Sequence, residues 1–477
     1  MGSSRRDQDG ARLWRALFTP VDIASLAVFR IGFGLLMAWD LFIYLDSGAV
    51  KELYIDPRFH FAWLLFDWVK PWPGIGMYLH YYALTALALC IAAGLLYRVS
   101  AALFCAGFTY LLLLERATYL NHWYLICLLS FLLIFVPAHH ALSIDSKLRP
   151  RLRSDQAPAW ALWLLRAQMG VVYFFGGIAK LNADWLRGQP MRIWLPGSIG
   201  LPGLEPVLAH PTTALLASWA GLAIDLGMVP ALLWRRTRPF AFAIAVAFHL
   251  LNSQLFEISV FPWLAIWCTL SFFDADWPRR VFNWPRRAQL PSATPARWDA
   301  RSRATAALVT TYVAIQILVP LRHFLYPGNP SWTEDGDRFS WRMKLNNKAG
   351  LARFRITDPA TGRTWEVDPS QELTARQTKR MAGDPFMLLG YAHHLGELAS
   401  RPGQPRVEVR AIAIATLNGH PAEPLIDPGV DLAAVPRTLF GRAHWILPQN
   451  NELGRKLRAS LPEASGDASG HTDRPIE

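Results

Sequence analysis

Cysteine is scarce in this chain. Four occur among 477 residues, Cys90, Cys105, Cys127 and Cys268; all lie in apolar runs, none is spaced as CxxC, and the C-terminal third has none. This pattern excludes a disulfide framework and predicts free thiols. The histidines show neither HxxxH nor HExxH spacing; His122 and His249 could be two zinc ligands, but nothing supplies a third and fourth, so no metal is expected. Charge is sparse too. Only 18% of residues are charged, against 52% hydrophobic, and a mean hydropathy of +0.18 points away from a soluble protein and towards a lipid bilayer as partner. The net charge of +12 would suggest nucleic acid in a soluble protein. Here the arginines cluster in short segments between apolar runs, a pattern that orients a membrane protein, and no nucleic-acid partner is expected. No cleavable leader is visible in the polar, basic start of the chain, so the first apolar run is expected to serve as the insertion signal.

What is abundant is apolar sequence. A hydrocarbon layer about 30 Å thick needs roughly 20 helical residues, and nine runs meet or approach this, near 22–45, 77–97, 99–115, 119–137, 159–179, 212–234, 239–254, 258–273 and 304–321. Many of the 21 tryptophans stand at the ends of these runs, where an amphipathic ring suits the headgroup region, although ordinary core packing would account for a share of them. With the N-terminus placed inside, the cytoplasmic segments hold nineteen Lys and Arg and the outer loops seven, the bias that insertion imposes. An odd number of spans then puts the C-terminal part outside.

That part reads as a small folded domain. Strand signals run over Ala352–Asp358 and Arg363–Val367 around a Pro-Ala-Thr-Gly turn, and over Arg406–Ala415 before Asn418-Gly419, with a helix near Pro385–Ala399 between them. The expected fold is a mainly α integral membrane helical bundle of about nine transmembrane helices, with a small C-terminal extracytoplasmic α+β domain. The expected divisions are a cytoplasmic segment 1–21, a membrane domain 22–321, an extracytoplasmic domain 322–457 rich in β-strands, and a small, polar, disordered tail 458–477.

Three polar clusters interrupt the apolar helices, Tyr119-Leu-Asn121-His122, Lys180-Leu-Asn182-Ala-Asp184-Trp185 and Phe248-His249-Leu-Leu-Asn252-Ser253-Gln254. In the derived topology all three fall at outer ends of spans. Lys180 follows the run Gly170–Ala179, in which Gly176-Gly177 permits close helix approach. Desolvation there would make a neutral amine available as a base; a lysine snorkelling to the headgroups is the alternative. His249 and Asn252, three apart, share a helix face, and Asn121 and His122 open a span, where free backbone N–H groups also reach a ligand. Helix-helix hydrogen bonding is the bland alternative for either pair. Arg30 and Asp40 in the first run each need a partner elsewhere, and a structural role is expected for Arg30.

At these residues the chain resembles the vitamin K-dependent gamma-glutamyl carboxylases and their microbial relatives, whose membrane part is called the HTTM domain. The resemblance rests on Asn121-His122, on Tyr173-Phe174 through Lys180-Leu-Asn-Ala-Asp-Trp185, on Phe248-His249 with Asn252-Ser-Gln-Leu-Phe256, and on Phe339-Ser340-Trp341. It implies a carbon–carbon lyase, a carboxylase with coupled vitamin K epoxidase activity. Oxygenation of vitamin K hydroquinone (phylloquinol or menaquinol) by O2 would drive addition of CO2 to the γ-carbon of a glutamate in a peptide or protein substrate. It also implies that Lys180 deprotonates the hydroquinone, that His122 assists carboxylation with Asn121 beside it, and that His249, Asn252 and Tyr173 contact the cofactor. A quinone or epoxide reductase is the implied functional partner. Vertebrate members tie the membrane part to the lumenal part by a disulfide, which a C-terminal part without cysteine cannot form. Two other readings stay open: a quinol epoxidase or oxygenase with a different acceptor, and a non-catalytic membrane scaffold or transporter on the same bundle.

Overall fold

The structure, a computed structural model, describes residues 16–198, 203–256, 258–285, 299–438, 441 and 443–460. Helices occur at all nine expected places: α1 (Ala24–Asp46), α2 (Gly76–Ala93), α3 (Tyr97–Leu114), α4 (Asn121–Phe135), α5 (Ala159–Ala179), α6 (Pro211–Leu233), α7 (Arg238–Leu255), α8 (Phe261–Thr269) and α9 (Ala300–Leu321). Nine full spans are not what they amount to. Among the described residues six helices are long and apolar enough to cross a membrane, α1, α2, α3, α5, α6 and α9. α4 has 15 residues, which rise only about 22 Å, and α8 has nine before a 3-10 turn over Leu270–Phe272. The apolar windows that suggested longer helices there include non-helical backbone, Leu120 in extended conformation before α4 and Ser259 at φ +43° before α8. α7 has 18 residues, but Arg238, His249, Asn252, Ser253 and Gln254 dilute its apolar character.

Within the bundle α1 packs on α2, α2 on α3 and α3 on α4, while α6 packs on α5 and α7, and α8 closes the ring against α1, α5 and α7. The buried charge of α1 is structural, as expected. The Arg30 guanidinium donates to the carbonyls of Ile91 (2.7 Å), Ala92 (2.5 Å) and Leu142 (2.6 Å), so it satisfies orphan carbonyls at the end of α2. Asp40 accepts from the Ser259 hydroxyl at 2.7 Å, tying α1 to the loop before α8. All four cysteines are free thiols.

Beyond α9 the chain forms a four-stranded antiparallel sheet. After the short pair β1 (Pro20–Asp22) and β2 (Gln156–Pro158), its strands are β3 (Lys348–Thr357), β4 (Thr364–Val367), β5 (Glu408–Leu417) and β6 (Glu423–Pro424), in the order β4-β3-β5-β6. Period-two alternation buries Phe354 and Ile356 of β3 with Val409, Ala411, Ala413 and Ala415 of β5 against α10 (Ala375–Gly383) and α11 (Pro385–Ala399). The boundary expected at residue 458 falls inside a last helix, Glu452–Ser460, and 461–477 lie outside the described residues, as does most of the N-terminal segment 1–21.

Polar contacts fix this domain on the loops of the bundle. At the start of α10, Gln377 completes a capping box with Thr374 and donates to Glu115 Oε2 at 2.8 Å. Asp384, which caps α11, accepts from Arg116 and Arg338, each at 3.2 Å. Asp184 accepts from Asn418 at 3.0 Å and meets His420 at 2.9 Å.

Candidate active site

Lys180 ends α5, and its Nζ donates to Asp225 Oδ2 at 2.7 Å and to the Gly176 carbonyl at 3.2 Å. Both side chains are buried, each residue 6% exposed. The approach of α5 to α6 explains how they meet. A Cβ on Gly177 would lie 2.5 Å from Leu226 Cδ2, and one on Gly176 would lie 3.2 Å from Asp225 Oδ2, so two successive glycines let α6 close on α5 at this level. The rest of the Lys180 motif is scaffold. Asn182 caps the short helix Ala183–Leu186 by accepting from the Trp185 N–H at 3.0 Å, and the Trp185 ring lies 5.1 Å from Lys180 Nζ while its indole N–H donates to the Ser218 carbonyl at 2.7 Å.

Tyr173 is seven residues before Lys180, so the two share a face of α5, about 10 Å apart along the axis. Its hydroxyl is 2.8 Å from His249 Nε2, joining α5 to α7. The Phe261 ring, first in α8, meets His249 edge-on at 5.8 Å and stacks on His122 at 5.9 Å. Both histidines are buried. His122 Nε2 and His249 Nδ1 have no hydrogen-bond partner among the described residues. A buried polar atom left unpaired is costly, so these two nitrogens are available to hydrogen-bond a ligand. Asn121 accepts from the Tyr119 hydroxyl at 3.1 Å, which itself accepts from the Phe339 N–H at 2.8 Å. Asn252 is half-buried one turn beyond His249 on α7; neither asparagine bonds directly to the other four expected site residues.

The C-terminal domain supplies a wall. Phe339 packs among Trp63, Tyr119 and Tyr124, and Trp341 stacks on Tyr124 at 5.0 Å. Met343 Cε approaches Gly176, 3.6 Å from where its Cβ would stand. Phe339, Trp341 and Lys344 all hold positive φ, between 49° and 62°. For side chains of this size that backbone is strained by about 1 kcal/mol or more each, and such strain collects at functional sites.

Residues 18–277 match the HTTM domain, and residues 301–452 match the lumenal domain of the vitamin K-dependent gamma-carboxylase. The chain belongs to the vitamin K-dependent gamma-carboxylase family. No solved structure gives a match. The lumenal match begins at α9, so it takes in the last long apolar helix of this chain together with the sheet domain. A multi-pass membrane protein with a lumenal-type C-terminal part follows from the two matches and the six long apolar helices.

Sequence reasoning expected Lys180 among apolar neighbours and missed Asp225, Phe261 and Met343. An aspartate in the middle of an otherwise apolar span was the available signal for Asp225, because an intramembrane carboxylate needs a partner. Nothing local marks Phe261 or Met343, which matter only through what the fold sets beside them.

Proposed function

We propose that this protein is a vitamin K-dependent gamma-glutamyl carboxylase. It couples oxygenation of vitamin K hydroquinone to carboxylation of a peptidyl glutamate at the face where the bundle meets its C-terminal domain. Overall, hydroquinone, O2, CO2 and a glutamate γ C–H give quinone epoxide, water, γ-carboxyglutamate and a proton. The observation that carries the proposal is the buried Lys180–Asp225 pair, set on the same face of α5 as Tyr173, with the unpaired nitrogens of His249 and His122 beyond it. When bound, the quinol with oxygen supplies a base far stronger than any side chain, which a glutamate γ-proton requires.

The protein's part is to bind, orient and move one proton. Lys180 takes the hydroquinone proton from the arrangement in which the proton of the pair resides on Asp225. Transfer along one 2.7 Å hydrogen bond keeps the pair neutral overall in either arrangement, which a low-dielectric site favours over separated charge. Asp225 is thus a positioning residue acting through Lys180. His249, oriented by Tyr173, and His122 hold the ring oxygens; His122 also faces the carboxylation step, with Asn121 setting its helix against the Phe339 segment. Asn252 lines the approach along α7. The aromatic wall of Phe261, Phe339 and Trp341 excludes water, which would quench a strong base or a carbanion. In this reading the N-terminus lies in the cytoplasm and the C-terminal domain outside it, an orientation that the basic-residue bias supports when α4, α7 and α8 are counted as crossings with the six long helices.

The test is turnover by purified protein in nanodiscs with reduced vitamin K, oxygen, labelled bicarbonate and a short glutamate-containing peptide, wild type beside Lys180→Ala. Fixed label and epoxide from wild type, with neither from the variant, support the proposal. Epoxide without fixed label would make the protein a quinol oxygenase with another acceptor, and neither product with any quinol would remove the enzyme assignment.

A further inference from the structure

A second site lies at the other end of α5. Arg166, fourteen residues before Lys180, donates to the carbonyls of Ser271 (2.8 Å) and Phe273 (2.9 Å), which holds the segment after α8 in place. The next residue, Asp274, receives three guanidiniums: Arg238 at 2.9 Å, and Arg235 and Arg280 each at 3.1 Å. Arg280 also reaches Asp276 at 3.1 Å. Four arginines and two carboxylates leave two positive charges in excess.

The arginines are not equivalent. Arg238 is enclosed and directs its remaining N–H groups to the carbonyls of Leu232 and Leu233. The side chains of Arg235 and Arg280 are 77% and 57% exposed, and among the described residues only Nη2 of each contacts carboxylate. A guanidinium carries five N–H donors in a fork that matches phosphate oxygens, so both retain donors at the rim. Beside them runs a groove of about 620 Å3, whose apolar lining includes Phe242, Leu270, Phe273, Trp277 and Val281. Outside it Phe240 and Phe282 are exposed, as suits contact with lipid rather than water.

We propose that this groove binds an anionic phospholipid, its phosphate held between Arg235 and Arg280 and an acyl chain laid along Phe242, Leu270 and Phe273. The excess positive charge selects an anionic headgroup over a zwitterionic one. The apolar lining, continuous with exposed apolar side chains, selects a lipid over free phosphate. By its position the groove anchors the end of the bundle opposite Lys180, where α6, α7 and the segment after α8 converge.

The test is native mass spectrometry and thermal unfolding of the full chain in detergent with added phosphatidylglycerol, phosphatidylcholine or inorganic phosphate. Wild type is expected to retain phosphatidylglycerol at least five-fold over phosphatidylcholine and to unfold at higher temperature with phosphatidylglycerol alone. Arg235→Ala/Arg280→Ala should lose that preference, whereas Arg149→Ala/Arg151→Ala, which removes the same charge from another exposed segment, should keep it. If the first pair fails to fold, Val281→Trp, which fills the groove from an exposed position and leaves every charge, should lower retention in the same way. Equal retention of both lipids, equal loss in the control pair, or an unchanged Val281→Trp would overturn the proposal. Stabilisation by inorganic phosphate matching that by lipid would reassign the site to free phosphate.

Discussion

Lys180 and Asp225 face each other at 2.7 Å across the α5–α6 contact, both buried, and neither has another charged partner among the described ion pairs. Each side chain is therefore what makes burial of the other tolerable. Removing one partner of such a pair costs about 3–5 kcal/mol, whereas replacing both with apolar groups is often close to neutral. Asp225→Leu is expected to lower the unfolding midpoint sharply, and Lys180→Met/Asp225→Leu to recover most of that loss. All variants at the pair should fail to form epoxide. The double variant is the informative one: folded yet inactive protein separates the proton-transfer role of the pair from its structural role, and an Asp225→Leu protein with wild-type turnover would sink the assignment.

The same contact makes a steric prediction. Gly177→Ala puts a Cβ within 2.5 Å of Leu226 Cδ2 and 3.2 Å of the Leu226 backbone nitrogen, and overpacking of this kind costs about 1–3 kcal/mol. Because α5 must back away from α6, Lys180 and Asp225 are pulled apart and quinol oxidation should fall by tenfold or more. Leu226→Ala removes the nearer obstruction, so the double variant should recover part of both stability and epoxide yield. Absence of recovery would mean that the helices do not meet here as described.

The apolar runs made the helix order legible, since 3.6-residue helices buried in lipid leave long uninterrupted apolar sequence. Span number was less legible. Hydropathy cannot separate helix from apolar non-helical backbone such as Leu120 or Ile258–Val260, and α4 and α8 are short for that reason. Turn and alternation signals located β3, β4, β5 and α11 closely, because each is fixed by local chemistry. At the site, Tyr173 entered only through the family resemblance, whereas Lys180, His122 and His249 stood out as polar residues in apolar surroundings. Their partners did not, because the Lys180–Asp225 contact joins residues 45 apart and Met343 reaches Gly176 from the other domain. Pairings of that kind are set by helix packing, which no local pattern encodes.

His122 and Tyr173 should separate the two halves of the reaction. Tyr173→Phe keeps the ring and deletes the 2.8 Å contact to His249, worth roughly 1 kcal/mol, so quinol KM should rise about five- to tenfold with both products falling together. At saturating quinol, where the weaker hold on the ring is masked, His122→Ala should spare epoxide formation and cut fixed CO2 by a factor of about 100, in the range of a lost acid–base group. The ratio of epoxide to γ-carboxyglutamate is the readout. If His122→Ala lowered both products in proportion, His122 would belong to quinol binding alone.

Asp384 gives a pH prediction outside the membrane. Burial by itself would raise its pKa, but the guanidiniums of Arg116 and Arg338 outweigh burial and hold it at about 2, below an ordinary aspartate value of 3.8. A carboxyl with a depressed folded-state pKa stabilises the fold fully above its unfolded value, and that contribution is lost as pH falls from about 4 towards 2. On the order of 2 kcal/mol is at stake. Arg116 belongs to a loop of the bundle while Arg338 and the α11 cap belong to the C-terminal part, so acid should loosen the contact between them before either part unfolds. Protease cleavage near residues 326–338, followed between pH 5 and pH 2, should rise steeply in wild type. Asp384→Asn, which cannot titrate, should be cleaved faster already at pH 5 and show a flatter rise through the same interval. Parallel curves for the two proteins would place the acid-sensitive contact elsewhere, with Asp184 and His420 the next pair to test.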